Sequence, residues 1–452
     1  MRVLVTGAYG LIGSTCLARL FAAGHEVIGA GRSIGTARRS LSYAQWIEAD
    51  FARLADGAAW EPLLQNVDGV VNCVGVLQDG LRDNVQRVQF AGTKALFDGC
   101  VRAGVKRVVH ISAIGADEHG PSAFSRSKAA AEKYLATLPL DWVVLRPGLV
   151  LAPGVYGGTA MLRGVAAFPG FVPLVGAHAR IQVISADELA ETVVRALAPG
   201  GQGGEALTSA TVASATVASA AWSKVSWEVA HPQVHSLADI ATAIRGWLGL
   251  PPREVLALPD GIGKIIAAVA DVLGWLGWRS PVRSTSLAQL TAGVIGDPKP
   301  WMSATGIEPK SLEQILAARP ATVRDRWFAR LYLLKPLAIL GFAASTLSVG
   351  AQEFVAAGKL ALAFWGISPT AVMTEVLPEL VAGAVQFAIG ILMLVRRTAR
   401  FAFLALFVLT LLGTAMSIVA ELHVANYPAG ALAYAIPGLL ALLFTLAVLD
   451  ER

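Results

Sequence analysis

Residues 2–13 read RVLVTGAYGLIG, and this stretch decides the fold of the N-terminal part of the chain. A short apolar run enters a turn in which Gly7, Gly10 and Gly13 stand three apart, and a helical pattern begins at once after the turn. Glycine permits a tight turn and a close approach of the backbone to a pyrophosphate, while the free N–H groups at a helix N-terminus attract negative charge. The stretch therefore predicts a strand, a phosphate-binding loop and a helix that together bind a dinucleotide.

The alternation of strand and helix patterns continues to about residue 195. Strands that alternate with helices form βαβ units with a parallel sheet. We therefore expect an α/β Rossmann-like, doubly wound parallel sheet. Its strands are RVLVTG, HEVIGAGR, VDGVVNCVG, KRVVHISA and LDWVVLRPG, and its helices include LIGSTCLARLFAAG, GTKALFDGCVRAG and SRSKAAAEKYLATL.

The composition indicates a second part that lies in a membrane. Of the 452 residues, 55% are hydrophobic and 15% are charged, whereas a soluble domain carries about 25% charged residues. The apolar excess lies mostly beyond residue 330. A crossing helix needs about 20 apolar residues, so we expect an all-α bundle of four transmembrane helices near residues 331–352, 371–395, 401–420 and 428–448.

Basic residues near the ends of these spans predict the topology. Arg396, Arg397 and Arg400 lie between the second and third spans, and RDRWFAR precedes the first. Lys and Arg collect on the cytosolic side, so we expect a multi-pass protein of the cell inner membrane with both termini and the first domain in the cytosol. The start MRVLVTGAYG has too short an apolar run for a cleavable signal.

The charge and the cysteines narrow the range of partners. The net charge of +5 comes without a basic stripe interleaved with aromatic residues, so we expect no nucleic acid partner. The predicted partner is the lipid bilayer. The three cysteines show no metal-like spacing, which predicts no metal site and indicates a reducing compartment.

The sequence predicts three regions. Residues 1–250 form the nucleotide-binding domain, with a low-complexity insert near 200–226 in which TVASA occurs twice. Residues 251–325 form a helical capping or connecting segment, and residues 326–452 form the membrane domain. Within the connecting segment, PDGIGKIIAAVADVLGWLGW predicts a helix that either lies at the membrane interface or caps the soluble domain.

The end of the second predicted strand indicates which dinucleotide binds. An NAD site usually has an acidic residue there for the ribose 2′-hydroxyl, whereas an arginine accommodates the 2′-phosphate of NADP. HEVIGAGRS places Arg32 and Ser33 at this point, with Arg38 and Arg39 close behind. A guanidinium binds a phosphate through two hydrogen bonds. NADP(H) is therefore favoured over NAD(H), which stays the alternative.

Four motifs occur in the order typical of one known superfamily. TGAYGLIG matches its phosphate loop, EADF its adenine-contacting pair, NCVG its fourth-strand motif, and LRPGLV the segment that passes the nicotinamide. Over about residues 1–245 the set resembles the short-chain dehydrogenase/reductase (SDR) superfamily, in its extended and atypical branches. The resemblance implies that the cofactor contacts come from Gly7, Tyr9, Gly10, Leu11, Ile12, Gly13, Arg32, Ser33, Asp50, Phe51, Cys73, Val74, Gly75, Lys128, Pro147, Gly148 and Val150.

The resemblance fails at the catalytic residues. The superfamily combines Tyr-x-x-x-Lys with a Ser or Thr after the fifth strand; the tyrosine transfers a proton and the lysine holds the nicotinamide ribose. AFSRSKAAAE keeps Lys128 but has Phe124 at the tyrosine position. The Ser or Thr position falls at Ala113 or Ile114, and Ser112 lies slightly early, where we expect it to bond locally to the backbone.

Two longer stretches bear on the function. SAIGA followed by SRSKAAAEK resembles atypical members related to the nucleotide-binding accessory subunit of respiratory complex I, which implies tight NADPH binding, often without turnover. DRWFARLYLLKPL and the apolar spans resemble the DoxX-like membrane family, which implies a link to quinone-dependent oxidation.

The sequence leaves two functions open. One is an oxidoreductase that passes reducing equivalents to a lipid or quinone, an acceptor that needs no side-chain acid. The other is a non-catalytic NADP(H)-binding subunit or redox sensor beside a membrane redox complex. Tyr156 and His119 are weak candidates for a replacement acid, and Glu375 and Glu379 for an ionisable pair at the second span.

Overall fold

A computed structural model describes residues 1–80, 84–154, 156–198, 222–278, 280–363, 370, 372–423 and 429–449. The chain divides into two compact units. The N-terminal unit comprises Met1–Asp271 and Ser280–Ala329, and the C-terminal unit comprises Val272–Arg279 and Arg330–Arg452. The predicted insert near 200–226 falls mostly on residues 199–221, which lie outside the described residues.

The strands of the N-terminal unit include all five that the sequence predicts. Along the chain they are β1 (Arg2–Thr6), β2 (Glu26–Gly31), β3 (Gln45–Glu48), β4 (Gly69–Asn72), β5 (Arg107–Ile111), β6 (Asp141–Pro147), β7 (Leu149–Leu151), β8 (Val172–Val175), β9 (Arg180–Ile181), β10 (Val183–Ser185), β11 (Val225–Val229), β12 (His235–Ser236) and β13 (Val255–Leu258).

Seven of these strands form one parallel sheet in the order β11-β6-β5-β4-β1-β2-β3. The order reverses direction between β1 and β4, and ligands bind at such a switch point, beyond the carboxyl ends of the strands. Three two-stranded pairs, β7 with β10, β9 with β12 and β8 with β13, complete the unit. The predicted Rossmann-like parallel sheet is confirmed.

The helices alternate with the strands through the first part of the chain. They are α1 (Leu11–Ala22), α2 (Gly35–Ser40), α3 (Gly57–Trp60), α4 (Thr93–Ala103), α5 (Ala123–Ala136), α6 (Gly157–Ala166), α7 (Ala186–Leu197), α8 (Leu237–Trp247), α9 (Asp260–Trp275), α10 (Ser284–Ala292), α11 (Lys299–Thr305) and α12 (Leu312–Ala317). A π-helical segment at Gln86–Gly92 precedes α4, so this helix begins earlier than GTKALFDGCVRAG predicts.

The sheet separates two hydrophobic cores, as alternating side chains on a strand require. On β1, Val3 and Val5 face the core that includes α1 and α7, while Leu4 faces the core that includes α4. All three side chains are fully buried. Because both faces are covered, the strands are apolar on both sides, as expected for a parallel sheet.

Several helices of this unit begin at capping boxes, and α7 and α8 are two examples. Ser185 accepts a hydrogen bond from Glu188 N at 3.1 Å, and Ser236 accepts one from Asp239 N at 3.1 Å. In each case the acidic side chain bonds back to the backbone N–H of the serine, so two free donors at the helix start are satisfied.

Residues beyond 280 complete the core of the N-terminal unit. Trp301 on α11 is fully buried with the sheet residues of the first core, and its Nε1 donates to Thr192 Oγ1 at 3.2 Å. Leu312 on α12 is 1% exposed in a third core beside α6 and α8. The segment after α9 is therefore part of the domain's packing.

The C-terminal unit is helical. Its helices are α13 (Val323–Ala363), which begins in the N-terminal unit, α14 (Leu377–Leu394), α15 (Arg396–His423) and α16 (Ala429–Leu449). Three stretches of the described residues are long and apolar enough to cross a membrane: Val323–Leu362, Leu377–Leu394 and Arg396–Val419. The fourth predicted span falls on α16, whose apolar stretch Ala435–Leu449 is shorter.

Small residues allow α13 and α14 to approach each other. A Cβ on Gly383 would lie 3.0 Å from Gly350 O, and a Cβ on Gly390 would lie 2.7 Å from Leu347 Cγ. Close backbone approach at small residues is typical of helix packing in membranes, where the hydrophobic effect does not drive association.

Candidate nucleotide-binding site

The predicted cofactor residues lie at one edge of the sheet. Because the seven strands are parallel, the loops that follow them all leave at the carboxyl edge. The residues that directly follow strand ends include Gly7 after β1, Arg32 after β2, Cys73 after β4, Ser112 after β5 and Gly148 after β6. The fold thus gathers five separate predicted segments into one region.

The glycine turn after β1 has the geometry that close backbone approach requires. Gly7 has a φ of 64°, and a Cβ there would lie 3.0 Å from Cys73 O. A Cβ on Gly13 would collide with Gly7 O. Gly10 is the N-cap of α1, whose first turn contains Leu11, Ile12 and Gly13. The first N–H groups of a helix have no partner within it, so this turn fits a pyrophosphate.

The end of β2 places Arg32 and Ser33 beside the glycine turn. The Tyr9 ring lies over Gly31, where any side chain would collide with it. Arg32 is half-buried and Ser33 is exposed. Arg38 and Arg39 are exposed on α2. Among the described residues, those that directly follow β2 include no acidic side chain.

Asp50 and Phe51 have different surroundings. Asp50 Oδ1 accepts a hydrogen bond from Ala52 N at 3.0 Å, which fixes the carboxylate in its own turn. The Phe51 ring is 4% exposed and packs edge-on against Trp60, with ring centroids 5.0 Å apart. Any contact with adenine would therefore come from Asp50 or from the backbone of Phe51.

Asn72 at the end of β4 organises the loop that contains Cys73, Val74 and Gly75. Its Oδ1 accepts hydrogen bonds from Thr6 Oγ1 at 2.7 Å and Val74 N at 3.2 Å. Its Nδ2 lies 3.2 Å from His110 Nδ1. The amide therefore ties β1, β4 and β5 together and fixes the start of the loop.

Burial controls the ionisation of two groups around this loop. His110 is fully buried, and burial, together with the charge of Lys128, holds its pKa well below the usual value. The hydrogen bond with the Cys73 thiol and burial raise the pKa of Cys16. We therefore expect a neutral imidazole and a protonated Cys16 thiol next to the site.

Lys128 on α5 is the buried cation of the site. It is 4% exposed, and its Nζ donates to Ile111 O at 2.8 Å and to Val74 O at 3.4 Å. Burial lowers its pKa to about 8, although Glu132 acts in the opposite direction. The ammonium thus joins the end of β5 to the loop after β4, within 3.9 Å of a Cβ placed on Gly75.

Besides His110 Nε2, two buried polar atoms near Lys128 have no hydrogen-bond partner among the described residues. They are Ser112 Oγ and Gln89 Oε1, on side chains that are 5% and 1% exposed. The expectation that the Ser112 hydroxyl bonds locally to the backbone is wrong, because only its backbone N donates, to Leu145 O at 2.7 Å. An unsatisfied buried polar group costs about 1–3 kcal/mol, so both atoms fit a site that a polar ligand fills.

Gln89 is a site residue that the sequence analysis missed. Its Nε2 donates to Ser127 Oγ at 3.2 Å, and its Oε1 lies 3.6 Å from a Cβ placed on Gly75. It lies in the π-helical segment Gln86–Gly92, and single π-turns occur frequently at functional sites. The polar residue inside the apolar pattern VQFAG was the available signal.

Phe124 lies one turn before Lys128 on the same face of α5 and is half-buried. The structure offers no hydroxyl at this position. His119 is exposed in the turn before α5, and Tyr156 is 49% exposed directly before α6. Both remain predictions as replacement acids. Glu379 lies in the first turn of α14, and nothing is described of the Glu375 side chain.

The segment after β6 passes closely over its neighbours. Pro147 O accepts a hydrogen bond from Ile114 N at 3.2 Å, and Gly148 N donates to Val229 O at 3.0 Å. A Cβ on Gly148 would lie 2.5 Å from Gln182 O, so only glycine fits. Val150 is buried in β7, paired with Ile184.

Comparison with known proteins identifies this region. Residues 7–199 match a family model described as NAD(P)H-binding. Over these residues the chain is similar to NAD(P)H-binding domains, and its fold there is Rossmann-like. The match covers the glycine turn, the loop after β4 and Lys128, and it does not distinguish NADP from NAD. It ends before the long apolar helices of the C-terminal unit, so their resemblance to the DoxX-like family stays a prediction.

Individual relatives match parts of the domain. An uncharacterized protein of Mycobacterium tuberculosis is 29% identical over 198 residues, which are 44% of this chain and 20% of that protein. The photosystem II assembly factor Ycf39 of Synechocystis is 27% identical over 148 residues, 32% of this chain and 44% of that protein. The chain thus spans less than half the length of either relative.

A solved structure shows the same fold. The UDP-glucose 4-epimerase of Thermotoga maritima, solved with UDP-glucose, aligns with a TM-score of 0.51 at 17% identity. The alignment covers 74% of this chain and 100% of the epimerase chain. At this identity the likeness concerns the fold alone.

Proposed function

We propose that the protein is a membrane-anchored, NADP(H)-dependent oxidoreductase that passes reducing equivalents to a quinone or lipid acceptor at the cytosolic face. One observation carries the proposal. Buried Lys128 and the unpartnered polar atoms of Ser112 and Gln89 stand at the carboxyl edge of the sheet, while Phe124 occupies the position of the family's proton donor. The site thus keeps groups that hold a cofactor and lacks the group that protonates a carbonyl.

Each end of the cofactor has residues that fit it. The turn from Gly7 to Gly13 would hold the pyrophosphate, and Arg32 the 2′-phosphate. Lys128 would hold the nicotinamide ribose, as the SDR resemblance implies. The unpartnered Ser112 Oγ can donate or accept a hydrogen bond, and Gln89 Oε1 can accept one, so both suit further polar groups of the ligand.

The absence of a phenol at position 124 selects the acceptor class. When bound, NADPH supplies a hydride, and reduction of a quinone takes that hydride and one solvent proton to give hydroquinone and NADP⁺. A ketone needs a positioned acid for its oxygen, which Phe124 cannot provide. Lys128 is cationic below about pH 8, and a fixed cation stabilises negative charge that develops on an acceptor.

The membrane helices support an apolar acceptor. Three stretches of the described residues are long and apolar enough to cross a bilayer. Quinones and lipids partition into the same phase. A domain anchored at the membrane surface would therefore meet such an acceptor at a high local concentration.

NADPH oxidation by the full chain in lipid nanodiscs tests the proposal. We expect oxidation that depends on an added short-chain quinone and is absent with simple ketones and aldehydes. Lys128→Ala should abolish it, while Lys133→Ala, which changes an exposed lysine of the same helix that pairs with Glu118, should leave it intact. Quinone-independent or ketone-dependent oxidation would contradict the acceptor assignment.

A non-catalytic NADP(H)-binding subunit or redox sensor is the second candidate. The observation that favours it is the bonding of the Lys128 ammonium to two backbone carbonyls, which gives the lysine a structural role independent of chemistry. One relative is named as an assembly factor. Tight NADPH binding without turnover on any quinone or lipid would select this function.

A further inference from the structure

Helix α9 exposes its large apolar side chains. In a helix that packs on a soluble domain, the large apolar residues face the core and the polar residues face water. In α9 the large apolar residues face outward instead. The exposed fractions are 44% for Ile262, 66% for Ile265, 40% for Ile266, 56% for Val269 and 63% for Val272.

The face of α9 that is buried consists of small residues. Gly263, Ala267, Ala270 and Gly274 are all buried. A Cβ on Gly263 would collide with Val175 on β8, so the helix approaches the domain closely on this side. The packing of α9 therefore uses its small residues and leaves the isoleucines and valines free of the core.

The exposed residues form one continuous stripe. At about 100° per residue, the five apolar side chains from Ile262 to Val272 fall within an arc of about 120°. The charged residues Lys264 and Asp271 lie on the opposite side of the helix. Asp271 is held there by Arg283, whose Nε lies 2.6 Å from Asp271 Oδ1, and by Ser284. The helix thus has a fixed polar side and an unpartnered apolar side.

The end of α9 is fixed at the ends of two candidate membrane spans. Residues 272–278 belong to the C-terminal unit. In that unit Trp278 Nε1 donates to Leu394 O at 2.6 Å, and Arg396 N donates to Leu276 O at 3.2 Å. Leu394 is the last residue of α14 and Arg396 the first of α15.

This junction has the composition of a membrane–water interface. Arg396, Arg397 and Arg400 begin α15, and Trp278 donates to the carbonyl of Leu394, two residues before Arg396. Tryptophan and arginine collect at the level of the lipid headgroups. Trp275, in the last turn of α9, is 58% exposed and lies around the helix between Val272 and Lys264.

We infer that α9 is an interfacial helix that lies in the plane of the bilayer surface, with the stripe Ile262–Val272 among the acyl chains and Lys264 and Asp271 directed away from them. The occupant of this face is lipid because the helix runs directly into the interfacial ends of α14 and α15. Its 16 residues are fewer than the about 20 that a helix needs to cross a bilayer. The inference rests on the proposed membrane anchoring.

Depth-dependent fluorescence quenching tests this inference on the full chain in nanodiscs. Val269→Cys places an environment-sensitive fluorophore on the stripe, and Lys264→Cys places the same fluorophore on the polar side of the same helix. The unsubstituted chain, labelled identically, corrects for Cys16, Cys73 and Cys100. Because the stripe would be buried in the acyl region, brominated phospholipid should quench the label at 269 at least about twofold more than the label at 264.

A third label separates this inference from the membrane proposal itself. Leu409→Cys lies in α15 and is 40% exposed. Quenching at 409 with equal, weak quenching at 269 and 264 would overturn the interfacial helix and leave the anchoring intact. Absence of quenching at all three sites would overturn both. If brominated lipid does not quench the label at 269, and unlabelled Val269→Cys chains cross-link to each other, the stripe contacts a second copy of the chain. That result also overturns the inference.

Discussion

At the scale of single residues, Lys128 shows how the fold produces an unusual group. The sequence indicates a lysine at the family position, but its burial follows from the contact with Ile111 O and Val74 O at the strand ends. Burial disfavours the charged form and lowers the pKa to about 8. The amine therefore titrates close to physiological pH.

The titration of Lys128 predicts a pH-dependent stability of the nucleotide-free protein. In the unfolded chain the lysine pKa returns to about 10.4, so between about pH 8 and 10 the unfolded state binds more protons and the free energy of unfolding rises with pH. The free energy of unfolding changes by about 3 kcal/mol in total, because a shift of one pKa unit corresponds to about 1.36 kcal/mol.

Thermal unfolding at pH 7.5 and 9.5 measures this effect. From pH 7.5 to pH 9.5, we expect the melting temperature of the unsubstituted protein to rise by several °C relative to the melting temperature of Lys128→Met. Lys133→Met, on the exposed side of α5, should behave like the unsubstituted protein. Parallel pH profiles for the unsubstituted protein and Lys128→Met would show that the amine is not buried.

Arg32 predicts the nucleotide preference. A bidentate, charged contact with the 2′-phosphate contributes at least about 1.4 kcal/mol of binding free energy, which is a factor of ten in affinity. We therefore expect NADPH to bind at least about tenfold more tightly than NADH. Titration calorimetry should show this preference and its loss in Arg32→Ala. Arg102→Ala removes an exposed guanidinium from α4, where it pairs with Glu61, and should leave the preference unchanged. Equal affinities in the unsubstituted protein would contradict the assignment.

Phe124→Tyr tests the position of the missing acid. The ring is half-buried and one turn from Lys128, so a phenol of the same size should leave NADPH affinity within about twofold, since like-sized aromatic replacements preserve packing. If the site is otherwise competent, the variant gains reductase activity towards carbonyl compounds. Loss of NADPH binding in this variant would mean that the ring packs where we place the open cleft.

Residue types at the site were predictable to different degrees. Gly7, Gly13 and Gly148 follow from the motifs, and each has a contact that excludes a side chain. The unpartnered atoms of Ser112 and Gln89 depend on burial, which arises from packing between distant segments. No local pattern of sequence reports it.

At the scale of elements, the close packing of α1 on the glycine turn predicts the result of Gly13→Ala. The added Cβ would collide with Gly7 O, which is backbone and has nowhere to move. We expect a loss of NADPH affinity of at least about tenfold and a lower melting temperature, since overpacking costs about 1–3 kcal/mol.

Gly246→Ala is the matched control. Gly246 lies within α8, and nothing stands within 4 Å of a Cβ placed there. Alanine should stabilise this helix by up to about 1 kcal/mol without changing NADPH affinity. Equal melting temperatures for both variants would show that the α1 turn tolerates a side chain.

The regular elements were the predictable part of the fold. The five strands and the helices that follow them have long apolar patterns, and they appear where the sequence predicts them. The other strands were not among the five predicted, and the short strands β3 and β13 are examples. β13 pairs with β8, more than 70 residues earlier in the chain (Val255 with Val172), and a run of four residues carries too little periodicity to mark a strand.

At the scale of the whole molecule, the basic residues at the start of α15 predict the topology. With four crossings, the Arg396–Arg400 connection lies in the cytosol, since lysine and arginine near span ends set the orientation. A periplasm-active reporter fused after Thr398 should be silent. A reporter fused after Val424, which lies outside the described residues, should be active.

Lys335 is the weak point of this topology. It lies in α13 near the entry of the first predicted span, and it must reach the interface if that span inserts. An active reporter after Thr398 together with a silent one after Val424 would indicate an odd number of crossings. The cytosolic position of the nucleotide site would then have to be revised.

The burial of Trp301 has a consequence for the synthesis of the protein. The tryptophan is fully buried with residues of the sheet, so the Rossmann domain cannot complete its core until α11 has been translated. About 30 residues separate it from the first predicted span near 331, which the ribosome adds in a few seconds at about 5–20 residues per second. The nascent chain therefore completes this core at nearly the moment when its first long apolar helix is synthesised.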